Sequence, residues 1–398
     1  MKNYNLTFFL STTVFCLIIL LSPLHAGDFP VNSLWVPCEG QNRTLDSIEK
    51  IDELIDFSVK NKISLLFVQI YRGNRTWYTT DLADDTPAQN FIKQNKKEML
   101  PYLIEKANKN DIEVHAWFNV LRVTRNKDAV ILKKLGRNAV TRDSLSRNML
   151  DYKDFSLEGA EGRYYELGDP GIWLDAGNLD VQKYIHDLMD DFMLRYTEID
   201  GIHLDFIRLP VVLPMSPGSR FKGLHFGYGY ESVRRFREEF GYDPLDFSKL
   251  VREQSLEWDN FRRCQITDIV RKIKKICVLR GKKLSAAVRP WISRAYLTDT
   301  QDWPRWMEEG LLDFAIIMNY TDDPVLFKYL SLTCSSIKKI SQEDTKIFMG
   351  IGAYLLKDKN DILQSEIETL RKITTDGICI FSYDSIKDPD FLYSLINE

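Results

Sequence analysis

Much that would mark a familiar enzyme class is missing from this chain. It contains no C-x-x-C and no H-x-H, and its 398 residues include just five histidines, so no strong metal-ligand spacing is present. No G-x-S-x-G offers an acyl nucleophile. The first apolar run is followed by PCEGQNRTLDS rather than by a glycine-rich phosphate loop, which argues against a doubly wound nucleotide-binding sheet. There is no basic run and the net charge is −4, which argues against a general nucleic-acid surface. Beyond residue 30 no stretch approaches the ~18 apolar residues of a membrane helix. Cysteines are few and scattered: Cys16, Cys38, Cys264, Cys277, Cys334 and Cys379. Leaving out Cys16, an odd number remains, which is not a disulfide framework. No linker and no internal repeat divides the chain, and no cofactor motif is present, so no cofactor is expected.

Composition is that of an ordinary globular protein, with 44% apolar and 28% charged residues, enough for a sizeable core. The N-terminus differs. Lys2 precedes an apolar run from Phe8 to Leu21, and small residues follow near Ala26. This is the layout of a secretory signal peptide over residues 1–26, with residues 27–398 as one domain. A secreted or periplasmic location follows, with no integral membrane segment after cleavage.

From residue 31 short apolar runs alternate with helical stretches. The runs are SLWVPCE (33–39), ISLLFVQIYRG (63–73), IEVHAWFNVLRV (112–123), DGIHLDFIRLP (200–210), LSAAVRPW (284–291), LDFAIIMNYTD (312–322), KIFMGIGAYL (346–355) and GICIFSYD (377–384). In IEKIDELIDFSV, Ile48, Ile51, Ile55 and Val59 recur at three- and four-residue steps, the mark of one buried helix face. Asn178 or Asp180 is the expected cap of a helix after LDAGN. Strands alternating with helices imply parallel βαβ units, and eight such units fit an α/β fold of the (β/α)8 TIM-barrel type. Two connections, 124–179 and 211 to about 258, are far longer than the rest. They are the βα loops after strands 3 and 4, on the face where barrels keep their active sites. The second contains FKGLHFGYGY, whose aromatics either stack on sugar rings or pack the loop against the barrel.

Side chains alternate along a strand, so one register faces the lumen. In the fourth run Ile202, Leu204 and Phe206 share the outer face, while Gly201, His203 and Asp205 share the inner one. In the third, His115, Trp117 and Asn119 point inward, with Arg122 beyond them. Gln69, Tyr71 and Arg72 end the second run, Arg289 and Trp291 the fifth, Met318 and Tyr320 the sixth, and Tyr383 and Asp384 the last. Asp322 follows the sixth, and Arg208 leads into the long loop. A buried charge is costly without a partner, so Asp205 at the rim of the lumen is the leading candidate for function. His203 and Asp205 can also satisfy one another or pair with Arg208. Glycoside hydrolysis suits this set. It needs a carboxyl of raised pKa as acid, plus a base, a nucleophile or the substrate's acetamido group. Burial near Trp117 and Met318 would raise the Asp205 pKa. Arginine and asparagine neighbours suit sugar hydroxyls, and tryptophan and tyrosine suit stacking. The expected partner is therefore a polysaccharide or oligosaccharide. A metal site from His115, His203 and Asp205, or a non-catalytic glycan-binding barrel, are the other readings.

EVHAWFNVLRV, IWLDAGNLDVQKYI and YTEIDGIHLDFIRLP, in this order, resemble three motifs of the glycosyl-hydrolase-like family 10 barrels. The resemblance covers roughly residues 31 to 385. It implies a TIM barrel and a carbohydrate hydrolase, and some bacterial members of that family act on peptidoglycan glycan strands. Chitinase-type barrels are similar at greater distance: Asp200, His203 and Asp205 follow their fourth-strand spacing, and MNYTD and IFSYD resemble their sixth and eighth strand ends. Ile207 stands where their acid would be, so that mechanism does not carry over. Asp205 is the candidate acid. Asp384, Asp322 or the substrate's N-acetyl group is the candidate second group. Gln69, Arg72, His115, Trp117, Asn119, Arg122, His203, Arg208, Arg289, Trp291, Tyr320 and Tyr383 are the candidate substrate contacts.

Overall fold

Eight apolar runs pair edge to edge, in parallel, until the last meets the first. The strands are β1 (Asn32–Val36), β2 (Leu65–Arg72), β3 (Glu113–Asn119), β4 (Gly201–Asp205), β5 (Lys283–Val288), β6 (Phe314–Ile317), β7 (Lys346–Gly352) and β8 (Gly377–Phe381). They follow one another around a closed barrel in chain order, and Arg75–Thr76 adds a short antiparallel strand to β2. This computed structural model describes residues 31–386 apart from 159–161, 163–164, 215–224, 247–248, 343 and 374. The expected signal peptide lies outside the described residues.

Helices α1 (Ile48–Lys60), α2 (Met99–Asn108), α3 (Leu179–Arg195), α4 (Arg252–Leu279), α5 (Trp303–Glu308), α6 (Pro324–Ser335) and α7 (Asn360–Lys372) lie in the connections. Their starts are written in the sequence. Ser47 accepts from Lys50 N–H at 3.4 Å, and Asn178 accepts from Asp180 and Val181 N–H at 2.9 and 3.2 Å. Asp323 accepts from Val325 and Leu326 N–H at 2.9 and 3.2 Å, with Pro324 in the first turn. Each side-chain oxygen satisfies amides that have no partner within their helix. α3 buries Val181, Ile185, Leu188, Met189 and Phe192 against the barrel. Burial of each such side chain is worth about 1.5–3 kcal/mol.

Alternation sorts two cores. Leu34, Val36, Leu66, Val68, Ala116, Phe118, Ile202 and Leu204 face outward toward the helices. Trp35, Phe67, Trp117, Phe314, Ile316, Phe348 and Cys379 fill the lumen. Two irregularities break the alternation where it matters. The β2–β3 register shifts between Gln69 and Tyr71. Past that bulge Tyr71 packs outward on Phe118, while Arg72 joins Gln69 on the inner side. Phe206, expected on the outer face with Ile202 and Leu204, follows the end of β4 with φ 50°. Its left-handed backbone turns the ring into the barrel mouth instead.

The two long connections are joined to each other. Tyr165–Leu167 pairs antiparallel with Val212–Pro214, and Asp143 bridges to Phe226. Within FKGLHFGYGY, residues 221–224 lie outside the described residues. Phe226 and Tyr228 are buried, and Tyr230 is exposed beneath the Arg142 guanidinium, 4.1 Å from its ring centroid. Cys38, Cys264, Cys277, Cys334 and Cys379 are free thiols. Among the described residues no helix is long and apolar enough to cross a membrane.

One buried acid makes the fold pH-sensitive. Glu366 on α7 is 1% exposed, and neither carboxyl oxygen has a hydrogen-bond partner. Burial, helped by the nearby Asp322 charge, raises its pKa to about 8. A raised acid keeps its proton in the folded chain while the unfolded chain has already released one. Its contribution to stability therefore falls as pH rises from the unfolded value toward 8. Relative to the wild type, Glu366→Gln is expected to gain melting temperature progressively between pH 5 and pH 8. Thermal scans across pH test this, and an unchanged slope in the variant would reject it.

Candidate active site

The lumen is closed from below by a polar chain. The Trp35 indole N–H donates to His203 Nε2 at 3.1 Å. An indole nitrogen can only donate, so in the neutral ring the His203 proton sits on Nδ1, which faces Ser285 Oγ at 3.0 Å. The same hydroxyl lies 3.1 Å from His115 Nδ1. Phe67 meets the His115 ring edge-on and Phe314 stacks on it. Burial lowers the His115 pKa to about 3 and holds that of His203 well below its ordinary value. Gly201 is required beneath this layer, because a Cβ there would lie 2.5 Å from the His115 ring.

Above this floor a cavity of about 320 Å³ opens at the C-terminal ends of the strands. Its wall carries Trp35, Gln69, Arg72, Trp117, Asn119, Arg122, Asp169, Asp205, Phe206, Arg208, Arg289, Met318, Tyr320 and Phe381. Asp205, the last residue of β4, is 8% exposed. Its Oδ1 accepts the Phe206 N–H at 2.6 Å and lies 3.9 Å from Arg208 Nη1. Burial raises its pKa; Arg208, the Phe206 amide and Trp117 pull it down, and Asp169 pushes it up. The Trp117 indole N–H is buried and makes no well-formed hydrogen bond, so its effect on Asp205 is one of proximity. Arg208 also donates from Nη2 to Asp169 Oδ2 at 3.0 Å. Asp169 lies 3.6 Å from Arg289, and Arg289 donates to the fully buried Asp299 at 3.0 Å. The charges therefore alternate along a chain: Asp205, Arg208, Asp169, Arg289, Asp299. Arg72 pairs with Glu39 at 3.2 Å, and Arg75 pairs with the same carboxylate. Gln69 donates to Asn119 Oδ1 at 3.1 Å, and Asn119 sits level with Asp205 on the neighbouring strand. Tyr320 stacks on Phe381 with ring centroids 5.4 Å apart.

Nine of the residues singled out from sequence thus meet in one cavity: Gln69, Arg72, Trp117, Asn119, Arg122, Asp205, Arg208, Arg289 and Tyr320. The others lie elsewhere. His115 and His203 are in the floor, with no exposed surface, and Trp35 and Ser285 occupy both nitrogens of His203. That removes the His115, His203 and Asp205 trio as a ready metal site. Trp291 follows Pro290 outside β5 and is 49% exposed, lining a separate apolar depression with Tyr296 and Tyr329. Tyr383 packs on Phe57. Asp384 closes the end of β8 onto the β1–α1 loop, accepting Asn42 N–H at 2.6 Å against the Gly40 backbone. Asp322 is exposed and paired with Lys359 at 2.5 Å, which lowers its pKa. Neither acid reaches the cavity wall. The sequence pattern does not mark Asp169, Asp299 and Glu39. They sit in loops, where no periodicity reports facing.

A parallel eight-stranded barrel with a carboxyl, arginines and aromatic faces gathered at its C-terminal end is the architecture of glycoside hydrolase barrels. The chain belongs to the glycosyl hydrolase-like 10 family, whose model matches residues 28–363. It is 22% identical over 354 residues to the glycosyl hydrolase DigH of Escherichia coli strain K12, spanning 84% of this chain and 72% of that protein. The fold is similar to the PgaB (BpsB) glycoside hydrolase domain of Bordetella bronchiseptica, with TM-score 0.64 and 12% identity over 92% of this chain and 98% of that one. It is also similar to a β-galactosidase of Marinomonas ef1, with TM-score 0.53 and 9% identity over 89% of this chain and 54% of that one.

The floor is testable apart from activity. Nitrogen chemical shifts should report both lumen imidazoles as neutral from pH 8 down to pH 5. Trp35→Phe, which strips His203 Nε2 of its donor, is expected to cost about 1–3 kcal/mol in denaturant unfolding. A titration midpoint near pH 6.5 in either ring would contradict this arrangement.

Proposed function

We propose that the protein is an exported glycoside hydrolase, secreted or periplasmic, that cleaves O-glycosidic bonds of an N-acetylated bacterial polysaccharide such as peptidoglycan glycan strands. Asp205 is its general acid. The observation that carries this reading is a buried carboxyl of raised pKa at the strand ends, opening on a cavity with aromatic and amide walls. An acid must hold its proton until the leaving oxygen needs it, and desolvation shifts Asp205 in that direction. Gln69 and Asn119 suit sugar hydroxyls, and Trp35, Trp117 and Tyr320 suit the apolar faces of sugar rings. Export rests on the N-terminal pattern of Lys2, the apolar run and Ala26.

Asp169 is the carboxylate best placed to act with Asp205. Both touch Arg208, and Asp169 also pairs with Arg289. It is 26% exposed at the cavity wall, so water and substrate reach it. In this reading Asp169 assists the attacking water or the developing positive charge at the sugar, while Asp205 protonates the leaving group.

Asp205→Asn is expected to lower turnover of purified glycan strands by about 10²–10⁴-fold with little change in binding. The alkaline limb of the wild-type pH–rate profile belongs to Asp205, since activity is lost as that raised pKa is passed. Mass spectrometry of products from peptidoglycan strands and a polysaccharide panel reads this directly. Full activity in Asp205→Asn would sink the assignment. Activity retained in Asp169→Asn but lost in Asp205→Asn would move the second role to the substrate's acetamido group.

A further inference from the structure

The arginines around the cavity outnumber what the carboxyls can pair. Arg122 is the clearest case. It lines the cavity, its Nη2 donates to the Pro170 carbonyl at 2.8 Å, and its Nε is buried without an acceptor. Among the described residues it has no carboxylate within ion-pair distance. Arg208 is 3% exposed, and its Nε and Nη1 have no hydrogen-bond acceptor. The two guanidiniums share the Phe206 ring, at 5.0 and 4.4 Å from its centroid. Glu39, meanwhile, is divided between Arg72 and Arg75.

Such an arrangement is unfavourable on its own. Two cations against one ring repel each other, and buried N–H groups without acceptors carry a desolvation penalty. Burial lowers the pKa of both guanidiniums below its ordinary value, Arg289 adding to the effect at Arg208 and Arg72 at Arg122, against the pull of Asp169 and Asp205 on each. At Arg122 a neutral sugar hydroxyl would satisfy one N–H but leave the charge. A carboxylate answers both, and its two oxygens fit the planar fork of a guanidinium.

We infer that the cavity accepts a sugar unit bearing a carboxylate, bound by Arg122 and Arg208 beside Phe206. This rests on the reading of the cavity as a glycan site and narrows it to acidic glycans, such as those with a uronic acid or a lactyl ether on the ring.

The test is calorimetric titration of the full chain with two matched pairs of probes, N-acetylmuramic acid against N-acetylglucosamine and glucuronic acid against glucose. The acidic member of each pair is expected to bind roughly tenfold or more tightly. That preference should shrink between 0.05 and 0.5 M salt, to about the extent expected for a partly buried pair. Arg122→Met should abolish most of the preference, weakening the acidic probes far more than the neutral ones. Arg122→Lys, which keeps charge but loses the fork, should retain part of it, and thermal melts confirm that both variants are folded. Equal binding of acidic and neutral probes overturns the inference, as does a preference that survives Arg122→Met or no binding of any probe. The proposed activity is read separately. Cleavage of a neutral glycan without acid preference would overturn this inference and leave the hydrolase reading standing. Acid-selective binding without cleavage of any glycan would do the reverse.

Discussion

One guanidinium organises the mouth of this barrel. Arg208 touches Asp205 at the end of β4 and Asp169 from the loop after β3, and its plane lies against Phe206. Through Asp169 it is joined to Arg289 at the end of β5, and through Arg289 to Asp299. A guanidinium this buried is tolerated only where its partners are fixed, because the cost of drying each charge is several kcal/mol. The chain of alternating charges therefore does two things at once. It anchors a long inserted loop to two strand ends, and it sets the electrostatics felt by Asp205.

Beneath it, barrel closure decides the rest. A closed parallel sheet sends every second side chain into the lumen, and the lumen must be filled. Trp35, Phe67, Phe314 and Phe348 do this with apolar volume. His203, Ser285 and His115 do it with polar groups that mostly satisfy one another, so their burial is affordable without any ligand. Two histidines on the inner register can thus be floor rather than site. Parity alone could not separate the two roles, since it reports which way a side chain points and not how deep it lies.

That distinction marks how far the sequence could be read. The eight strands, their order and the inner register follow from period-two patterning, and Trp117, Asn119, Asp205 and Tyr320 were found that way. The long loops were recognised by length. What escaped were the places where the period breaks. The bulge after Gln69 and the left-handed Phe206 each redirect a side chain, and neither leaves a mark such as glycine at the position. Asp384 and Asp322 follow strand ends in the chain, yet turns carry them away from the axis. Asp169 is the opposite case: it is some thirty residues from any barrel strand, and only tertiary folding of the loop brings it to Arg208. Likewise Asp175 of the LDAGN segment accepts the Gly177 N–H at 3.2 Å in the turn that starts α3, so that familiar stretch serves the scaffold.

The balance at Asp205 connects the two proposals. Burial raises its pKa, and the Arg208 charge is the largest influence pulling it back. A carboxylated sugar seated on Arg208 would offset that cation while excluding water from the cavity. Both changes push Asp205 further toward its protonated form. The acid would then be held most firmly in reserve when substrate is bound and most readily ionised when the site is empty. Coupling of this kind needs no moving part: one guanidinium shared between the substrate's anion and the acid is sufficient, because each competes for the same positive field.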